Sequence, residues 1–274
     1  MSGEGGDRGS PREGAKRKRV VAVEDAGGIP PERKPFLQMS RRLYRNRYED
    51  GSRSRPYAYE YIHRRGYDAV AISPYYEAGG EPHMAVRPGI RVPVYFRKDL
   101  PLCIPDGKSY LFTPEAVAGS LEPGDSGVSG LLERVVAEVE EEAGFRVDAS
   151  RIEPLGGGFF PSHGQSSEKI FLCAVPVDPR EQREAFGDGS VNEADAPPIV
   201  FRPVREILLD CVAGRIEDPK IELLASRLCL RLGYLPQHGR YLEPLEKACF
   251  EPFRAALEEG GFRGRNASHG EDGT

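Results

Sequence analysis

Apolar residues recur at three- and four-residue spacing between Leu131 and Ala143, which is the period of an amphipathic α-helix. The repeating positions are Leu132, Val135, Val136, Val139 and Ala143. Gly144 follows directly and suits a helix C-terminal cap, because glycine adopts a left-handed backbone without a steric penalty. We therefore predict a helix that ends at Ala143 and packs one apolar stripe against a core.

A second helix is predicted after Asp218, which with Pro219 forms an N-cap and first-turn pair, and Gly233 closes it. It carries four leucines that we expect to pack on a sheet, Leu223, Leu224, Leu228 and Leu232. Residues 242–259 suggest one more helix, interrupted near Pro252.

Short apolar runs and period-two alternation predict strands between these helices. Residues 18–23 form one candidate, and Tyr57, Tyr59 and Tyr61 alternate as expected for a strand with one buried face. Sheet strands are predicted over 67–75 and 90–96, separated by the polar turn EAGGEP at 77–82, and again over 170–175. Helices and strands together predict an α/β fold.

Composition is that of an ordinary globular enzyme. With 274 residues, 39% of them apolar and 30% charged, the chain can bury one sizeable core with appendages. The formal net charge of −5 gives no overall reason to bind nucleic acid or membranes, and no apolar run approaches the ~20 residues that span a bilayer. The first twenty residues lack the apolar core of a signal peptide, so we expect a cytoplasmic protein.

Three glutamates give the first predicted helix a candidate chemistry. Glu138, Glu141 and Glu142 lie one turn apart, with Cβ atoms on the order of 5–6 Å from one another. A solvated acidic face is the alternative, because like charges at this spacing cost only ~0.2–0.5 kcal/mol per pair. Upstream, residues 119–125 form a glycine-containing turn that lets the backbone approach a ligand. Mg²⁺ takes a few carboxylates with water and phosphate, so this unit predicts a magnesium site.

The same residues resemble the Nudix box, G-x5-E-x7-R-E-U-x-E-E-x-G-U, where U is a bulky apolar residue. Gly119 matches the opening glycine, and EVEEEAGF at 138–145 matches the end. EAVAG at 115–119 resembles the ELPAG segment of the ADP-ribose and ADP-sugar pyrophosphatase branch, and FPSHGQSSEKIFLCAV at 160–175 resembles its FPSPG-x-S-x-E segment. Residues 50–72 and 203–228 resemble its entering strands and closing helices, so the likeness covers roughly residues 50–235.

The box departs from the family pattern at three points. Ala137 stands where an arginine is expected, Asp125 replaces the first glutamate, and the stretch between them is four residues longer than the pattern allows. In the resembling family this arginine orients the metal-binding carboxylates. Loss of such an orienting partner typically lowers metal affinity or activity by ~10–100-fold. Arg134, one helical turn before Glu138, could partly replace it, and an ordinary surface ion pair is the alternative.

The resemblance implies a set of site residues. The metal ligands would be the carbonyl of Ala118 and the carboxylates of Glu138, Glu141 and Glu142 around Mg²⁺, with Mn²⁺ as the other possible metal. Gly119 would adjoin the substrate, and Arg87 and Arg91 would grip a phosphate bidentately, with ordinary surface arginines as the alternative. The general base would be Glu193, favoured over Asp195, with Glu141 as a further catalytic carboxylate.

The resemblance also implies an architecture, a Nudix-type α/β/α sandwich around a mixed β-sheet. Along the chain we expect a disordered basic tail over 1–18, a β arm over 19–64 that pairs two subunits into a homodimer, and the hydrolase domain over 65–236. A C-terminal helix over 237–263 and a disordered tail over 264–274 complete the prediction.

The implied activity is Mg²⁺-dependent hydrolysis of the diphosphate bond in a nucleoside diphosphate linked to a sugar. ADP-ribose or an ADP-sugar is the preferred substrate, and a nucleoside monophosphate and a sugar phosphate are the products. One alternative, favoured by Ala137, is a nucleotide-binding protein with weak or no catalysis. Another is nucleic-acid binding by the interleaved arginines and tyrosines of residues 40–67, which we disfavour because their alternation fits a β arm.

Overall fold

A mixed β-sheet with helices packed against it forms the centre of the protein, seen in a computed structural model that describes residues 20–29, 35–64, 66–187, 191 and 196–250. The strands in chain order are β1 Leu37–Tyr44, β2 Tyr57–Arg64, β3 Ala69–Ala78, β4 Glu81–Gly89, β5 Thr113–Glu115, β6 Val117–Ser120, β7 Glu153–Pro154, β8 Ile170–Pro176, β9 Val200–Pro203, β10 Tyr234–Leu235 and β11 Arg240–Tyr241. The helices that the description covers are α1 Val92–Tyr95, α2 Gly127–Ala143, α3 Val204–Val212 and α4 Pro219–Leu232. The predicted α/β class is confirmed.

The central sheet has the order β5-β4-β3-β8-β7, with β6 added beside β3 and β9 beside β4. β3 and β8 are parallel, and the other pairs are antiparallel. Because β8 occupies one edge of β3, both β6 and β4 lie on the other edge, where β6 pairs with 69–72 and β4 with 75–78. The sheet therefore splits at this point, and β4 diverges from β3.

The two faces of β3 carry different helices because side chains alternate along a strand. Val70 and Ile72 lie in a cluster with the apolar stripe of α2, whereas Ala71 and Tyr75 lie in a cluster with α3 and α4. Two cores thus flank one sheet, and both are formed by residues buried to 8% exposure or less.

Both long predicted helices are confirmed. In α2 the side chains of Leu131, Val135 and Val139 are buried, and Gly144 caps the helix at φ 75°. The side chain of Asp218 accepts a hydrogen bond from the backbone N–H of Lys220 at the start of α4. Gly233 ends α4 at φ 70°, and the four leucines pack in or against the core cluster beside the sheet.

Strand boundaries depart from the prediction around β4. The predicted strand 67–75 is observed as β3, and 170–175 as β8, but 90–96 is not a strand. The chain turns sharply at Gly79 and Gly80, both at positive φ, so β4 already begins inside the predicted loop. Residues 92–95 form one helical turn instead, because Pro93 sits in its first turn, where proline needs no N–H partner.

Other predicted segments also differ. Residues 20–23 form no strand, and 18 and 19 lie outside the described residues. Gly119 lies in β6 rather than in a turn, which comes later, near Asp125. Of the predicted helix over 242–259, residues 247–250 form a single 3₁₀ turn and 251–259 lie outside the description, as do both terminal tails, 1–18 and 264–274.

The β arm is a two-stranded antiparallel hairpin of β1 and β2. The strand predicted from the tyrosine alternation is β2, but Tyr57 and Tyr59 are exposed in the single chain, so its predicted buried face is absent here. Arg64 ties the arm to the central sheet: its guanidinium donates to the carbonyl of Asp68 at 2.9 Å and pairs with Glu168 at 2.8 Å. Within the part of the chain that is described, no helix combines the length and apolarity needed to cross a membrane.

Candidate active site at the split of the sheet

The split between β3 and β4 brings a helix and a crossing strand together. The chain pairs with β4 through Glu115, then joins β3 at Val117, so residues 115–119 bridge the two diverging strands. The C-terminal half of α2 packs over this bridge. Two acidic residues of α2, Glu138 and Glu142, are buried there to 9% and 6% exposure.

Glu142 is held by a backbone donor and a cation. Its Oε2 accepts a hydrogen bond from the N–H of Ala118 at 3.0 Å, and its Oε1 pairs with a guanidinium nitrogen of Arg87. The side chains of Arg87 and Glu142 are only 11% and 4% exposed. The surface alternative is therefore wrong for Arg87, which is a buried cation beside a predicted metal ligand.

Glu138 occupies space that only a glycine leaves open. A Cβ built on Gly119 would collide with the carboxylate of Glu138, so the missing side chain at 119 makes a cradle for that carboxylate. Arg134 approaches the same oxygen, with a guanidinium nitrogen 3.8 Å from Glu138 Oε1. Gly119 and Glu138, which the sequence places at opposite ends of the box, are thus in contact.

Arg134 links Glu138 to Asp125. Its Nε donates to Asp125 Oδ2 at 2.9 Å, and the same oxygen accepts from the N–H of Glu122. Burial alone would raise the pKa of Asp125, but the Glu122 N–H and the Arg134 guanidinium together lower it. Arg134 therefore lies between two carboxylates, hydrogen-bonded to Asp125 and within ion-pair distance of Glu138.

The carbonyl of Ala118 faces the same side as Glu142. In a strand the N–H and C=O of one residue point the same way, and the Ala118 N–H points to Glu142 rather than into the ladder with β3. The carbonyl oxygen of Ala118 and the carboxylate of Glu142 therefore lie on the same side of β6.

Glu115 is a site residue to which the sequence reasoning gave no role. It accepts two hydrogen bonds from Arg91, at 2.7 and 2.6 Å, and a third from the hydroxyl of Thr113. A Cβ at Gly89 would lie 2.6 Å from Glu115 Oε2, so this carboxylate also rests on a glycine. Hydrogen bonding to Glu115 raises the pKa of Arg91, whose side chain remains 58% exposed. Glu115 is the first residue of the EAVAG segment, and that position was the sequence feature that could have identified it as a site residue.

The predicted glutamates are not brought together equally. Glu138 and Glu142 share the bridge, whereas Glu141 is half-buried and its backbone carbonyl accepts from the N–H of Gly187 at 2.9 Å. Over the described ranges, no three His, Cys, Asp or Glu side chains gather closely enough to hold a metal ion as they stand. Glu193 and Asp195, the general-base candidates, lie outside the described residues.

The donor set nevertheless fits Mg²⁺ in kind. Mg²⁺ is usually bound by one or two carboxylates, with waters and substrate phosphates completing the shell, rather than by an all-protein cage. Glu138 and Glu142 supply two buried carboxylates beside the edge of β6, and the cradle at Gly119 shows that the chain leaves room for one of them. Nitrogen and sulfur ligands are not needed for this ion.

Comparison with known proteins gives a structural likeness only. No protein-family model matches the chain, and no curated protein sequence matches it. Among solved structures, the chain is similar to one described as the crystal structure of an ADP compounds hydrolase, at 17% sequence identity and a TM-score of 0.44. That match covers 74% of this chain and 91% of the other.

Proposed function

We propose that the protein hydrolyses the diphosphate bond of a nucleoside diphosphate linked to a sugar, with Mg²⁺ as cofactor. The observation that carries this proposal is the buried pair Glu138 and Glu142, which adjoins the Ala118–Gly119 edge and the buried cation Arg87. Acidic side chains on a helix face with no function are expected to be solvated, whereas the side chains of Glu138 and Glu142 are buried. The resemblance of residues 119–145 to the Nudix box supports the same chemistry.

Burial of these groups needs a reason. Taking an ion out of water costs several kcal/mol, even after relaxation, so a helix designed only for stability would carry its glutamates on the wet side. Glu140 of the same helix shows that arrangement: it pairs with Arg146, whose side chain is 69% exposed. Buried carboxylates paired with a buried arginine are typical of functional sites, where charge is retained at an energetic cost.

In the proposed reaction, Glu138 and Glu142, with the carbonyl of Ala118, would hold the ion. A bound Mg²⁺ would neutralise phosphate charge and lower the pKa of an attacking water. Arg91, which stays partly exposed while pinned by Glu115, would bind a phosphate oxygen through its outer N–H groups. Arg87 would supply a second positive charge close to the same phosphates.

The general base remains the predicted Glu193. Segment 182–187 runs along the C-terminal end of α2, where Arg183 N–H donates to Gly144 and Gly187 N–H to Glu141. Gly187 thus lies beside Glu141, which makes Glu141 the alternative base, while Glu193 lies outside the described residues. Proton transfer from a positioned water by such a carboxylate contributes typically ~10²–10⁴-fold.

The decisive experiment measures release of AMP from ADP-ribose with Mg²⁺ present. We expect turnover by the wild type, its loss in EDTA, and a fall of at least ~10²-fold in Glu138→Gln and in Glu142→Gln. Glu140→Gln is the matched control, because Glu140 lies on the same helix and points to Arg146. Circular dichroism confirms that each variant is folded.

A panel of nucleoside diphosphate sugars extends the assay to the base and the sugar. Loss of activity in Glu140→Gln equal to that in Glu138→Gln would contradict the site. A folded wild type that releases no phosphate product from any panel member would contradict hydrolysis altogether.

Ala137 favours one other function, a nucleotide-binding protein that retains the site without turnover. The side chain that orients the carboxylates in the resembling family is absent there, and Arg87 already neutralises Glu142. Calorimetric binding of ADP-ribose without product formation, weakened in the Arg91→Ala variant, would support this second function over the first.

A further inference from the structure

A cleft of about 560 Å³ opens beside Arg91 and Glu115, and neither Glu138 nor Glu142 lines it. Its walls come from residues 108–115 and from 214–220, the latter leading into α4. Residues 108–114 belong to none of the family-like segments, whereas 214–220 lie within the stretch 203–228 that resembles the closing helices. The volume lies within the ~300–1,000 Å³ that small-molecule sites occupy.

The cleft is joined to the proposed catalytic site by two contacts. Asp218 accepts a hydrogen bond from the N–H of Ala116 at 3.2 Å, so the floor of the cleft is attached to the bridge between β5 and β6. Arg91 lines the cleft and binds Glu115, which lies opposite Arg87 in the β4–β5 register. A ligand whose phosphates lie at Arg91 would therefore extend directly into the cleft.

The lining carries charges of both signs that neutralise one another. Lys108 pairs with Glu217 at 2.9 Å, and Lys220 pairs with Asp218 at 2.9 Å. Such a lining produces little field for an anion, but it offers both donors and acceptors. A hydroxyl group donates one hydrogen bond and accepts two, so a polyhydroxylated ligand matches this pattern.

Aromatic side chains complete the lining. Tyr110 and Phe112 are half-buried in the cleft and provide apolar surface for the C–H faces of a ring. Burial, together with hydrogen bonding to Glu217, raises the pKa of Tyr110 to about 12. Its hydroxyl donates to Asp106 Oδ2 at 3.2 Å, so its oxygen is left to accept a hydrogen bond from a ligand.

We propose that this cleft binds the sugar at the far end of the nucleoside diphosphate sugar, with Glu217 accepting from its hydroxyls and Phe112 packing against its ring. The inference rests on the proposed function for the nature of the substrate, and it names the end of the substrate that this cleft selects. Arg91 would lie at the boundary between the sugar and the diphosphate.

Binding without hydrolysis tests the cleft independently of catalysis. Isothermal titration in EDTA would compare ADP-ribose, ribose 5-phosphate and ADP on the wild type and on Glu217→Gln and Phe112→Ala. We expect both variants to weaken ADP-ribose and ribose 5-phosphate by about 10-fold and to leave ADP unchanged, because one hydrogen bond or packing surface to the sugar is lost. Glu133→Gln, on the exposed side of α2, is the control and should behave as the wild type.

The outcomes separate the two proposals. Absence of ribose 5-phosphate binding to the wild type, or equal weakening of ADP and ADP-ribose, overturns the sugar assignment whether or not the enzyme hydrolyses ADP-ribose. Selective weakening of the sugar-containing ligands supports it even if no hydrolysis is found. Should Phe112→Ala fail to fold, Glu217→Gln decides, since its side chain is half exposed.

Discussion

The guanidinium of Arg87 lies against the carboxylate of Glu142, although the two residues are 55 positions apart in the chain. Arg87 belongs to β4 and Glu142 to the last turn of α2. The pair therefore connects the helix to β4, the strand that diverges from β3 at the split of the sheet. A buried pair is not in itself a source of stability, because desolvation offsets the attraction between the charges. Removal of one partner is different, since it leaves the other charge buried alone.

Arg87→Met should therefore destabilise the fold by about 3–5 kcal/mol, the usual cost of an uncompensated buried charge. Urea unfolding followed by circular dichroism measures the change. Arg180→Met is the control, because the Arg180 side chain is 89% exposed and its pair with Asp178 lies in solvent. Similar unfolding midpoints for the two variants would show that Arg87 and Glu142 are not a buried pair in solution.

Gly119→Ala should lower Mg²⁺-dependent activity by at least ~10-fold while the protein stays folded. The new methyl group would occupy the place of the Glu138 carboxylate, and that flexible side chain can move aside without unfolding the helix. Gly124→Ala is the matched control, since a Cβ there meets nothing within 4 Å. Steady-state rates across a Mg²⁺ titration compare the two. An active Gly119→Ala enzyme with unchanged Mg²⁺ dependence would refute the cradle.

Arg134→Ala should raise the Mg²⁺ concentration needed for half-maximal activity by about 10-fold, toward the lower end of the effect of orienting partners. Arg134 lies between Asp125 and Glu138, so its loss removes one of the charges that hold the Glu138 carboxylate in place. Arg146→Ala controls for charge, because Arg146 pairs with the exposed side of α2 at Glu140. A Mg²⁺ titration identical to that of the wild type would leave Arg134 as an ordinary ion pair.

The two long helices and the strands β3 and β8 could be predicted from the sequence because their signals are local. Apolar periodicity together with Gly144 identified α2, and Asp218 with Gly233 bounded α4. The strand predicted over 90–96 is observed earlier in the chain, as β4 at Glu81–Gly89. The prediction was wrong because the β-branched and apolar residues at 90–96 also suit a strand. Only the turn at Gly79 and the position of Pro93 decide between the two.

The candidate site was only partly predictable for a physical reason. Carboxylate spacing on a helix can be read from the sequence, but which carboxylate is buried depends on the strand that crosses beneath it. The pair Glu115 and Arg91 arises from the register of β4 and β5, and the cleft unites segments about one hundred residues apart. No local pattern encodes such pairings.

Acid should remove the contribution of Asp125 to stability. Its pKa is lowered in the folded protein, so its ionised form favours the fold above the unfolded pKa of about 3.9. That contribution is lost as the pH falls through the lower, folded pKa. Asp125→Asn should thus be less stable than the wild type at pH 7, and the difference should shrink as the pH falls below the unfolded pKa. Urea midpoints measured from pH 7 down to pH 2 report the difference, and a gap that is constant with pH would contradict the ionised pair with Arg134.

The β arm should pair two copies of the chain. A two-stranded hairpin alone is marginally stable in water, and one face of this hairpin exposes Met39 and Leu43 to 69% and 72%. Both lie on the same side of β1, opposite Ile62 and Ala58 in the register with β2. Met39→Glu combined with Leu43→Glu should convert a dimer to a monomer in light scattering at micromolar concentration, because charged side chains resist burial. Gln38→Glu, on the opposite face, should remain dimeric, and a monomeric wild type under the same conditions would exclude the arm as a dimer contact.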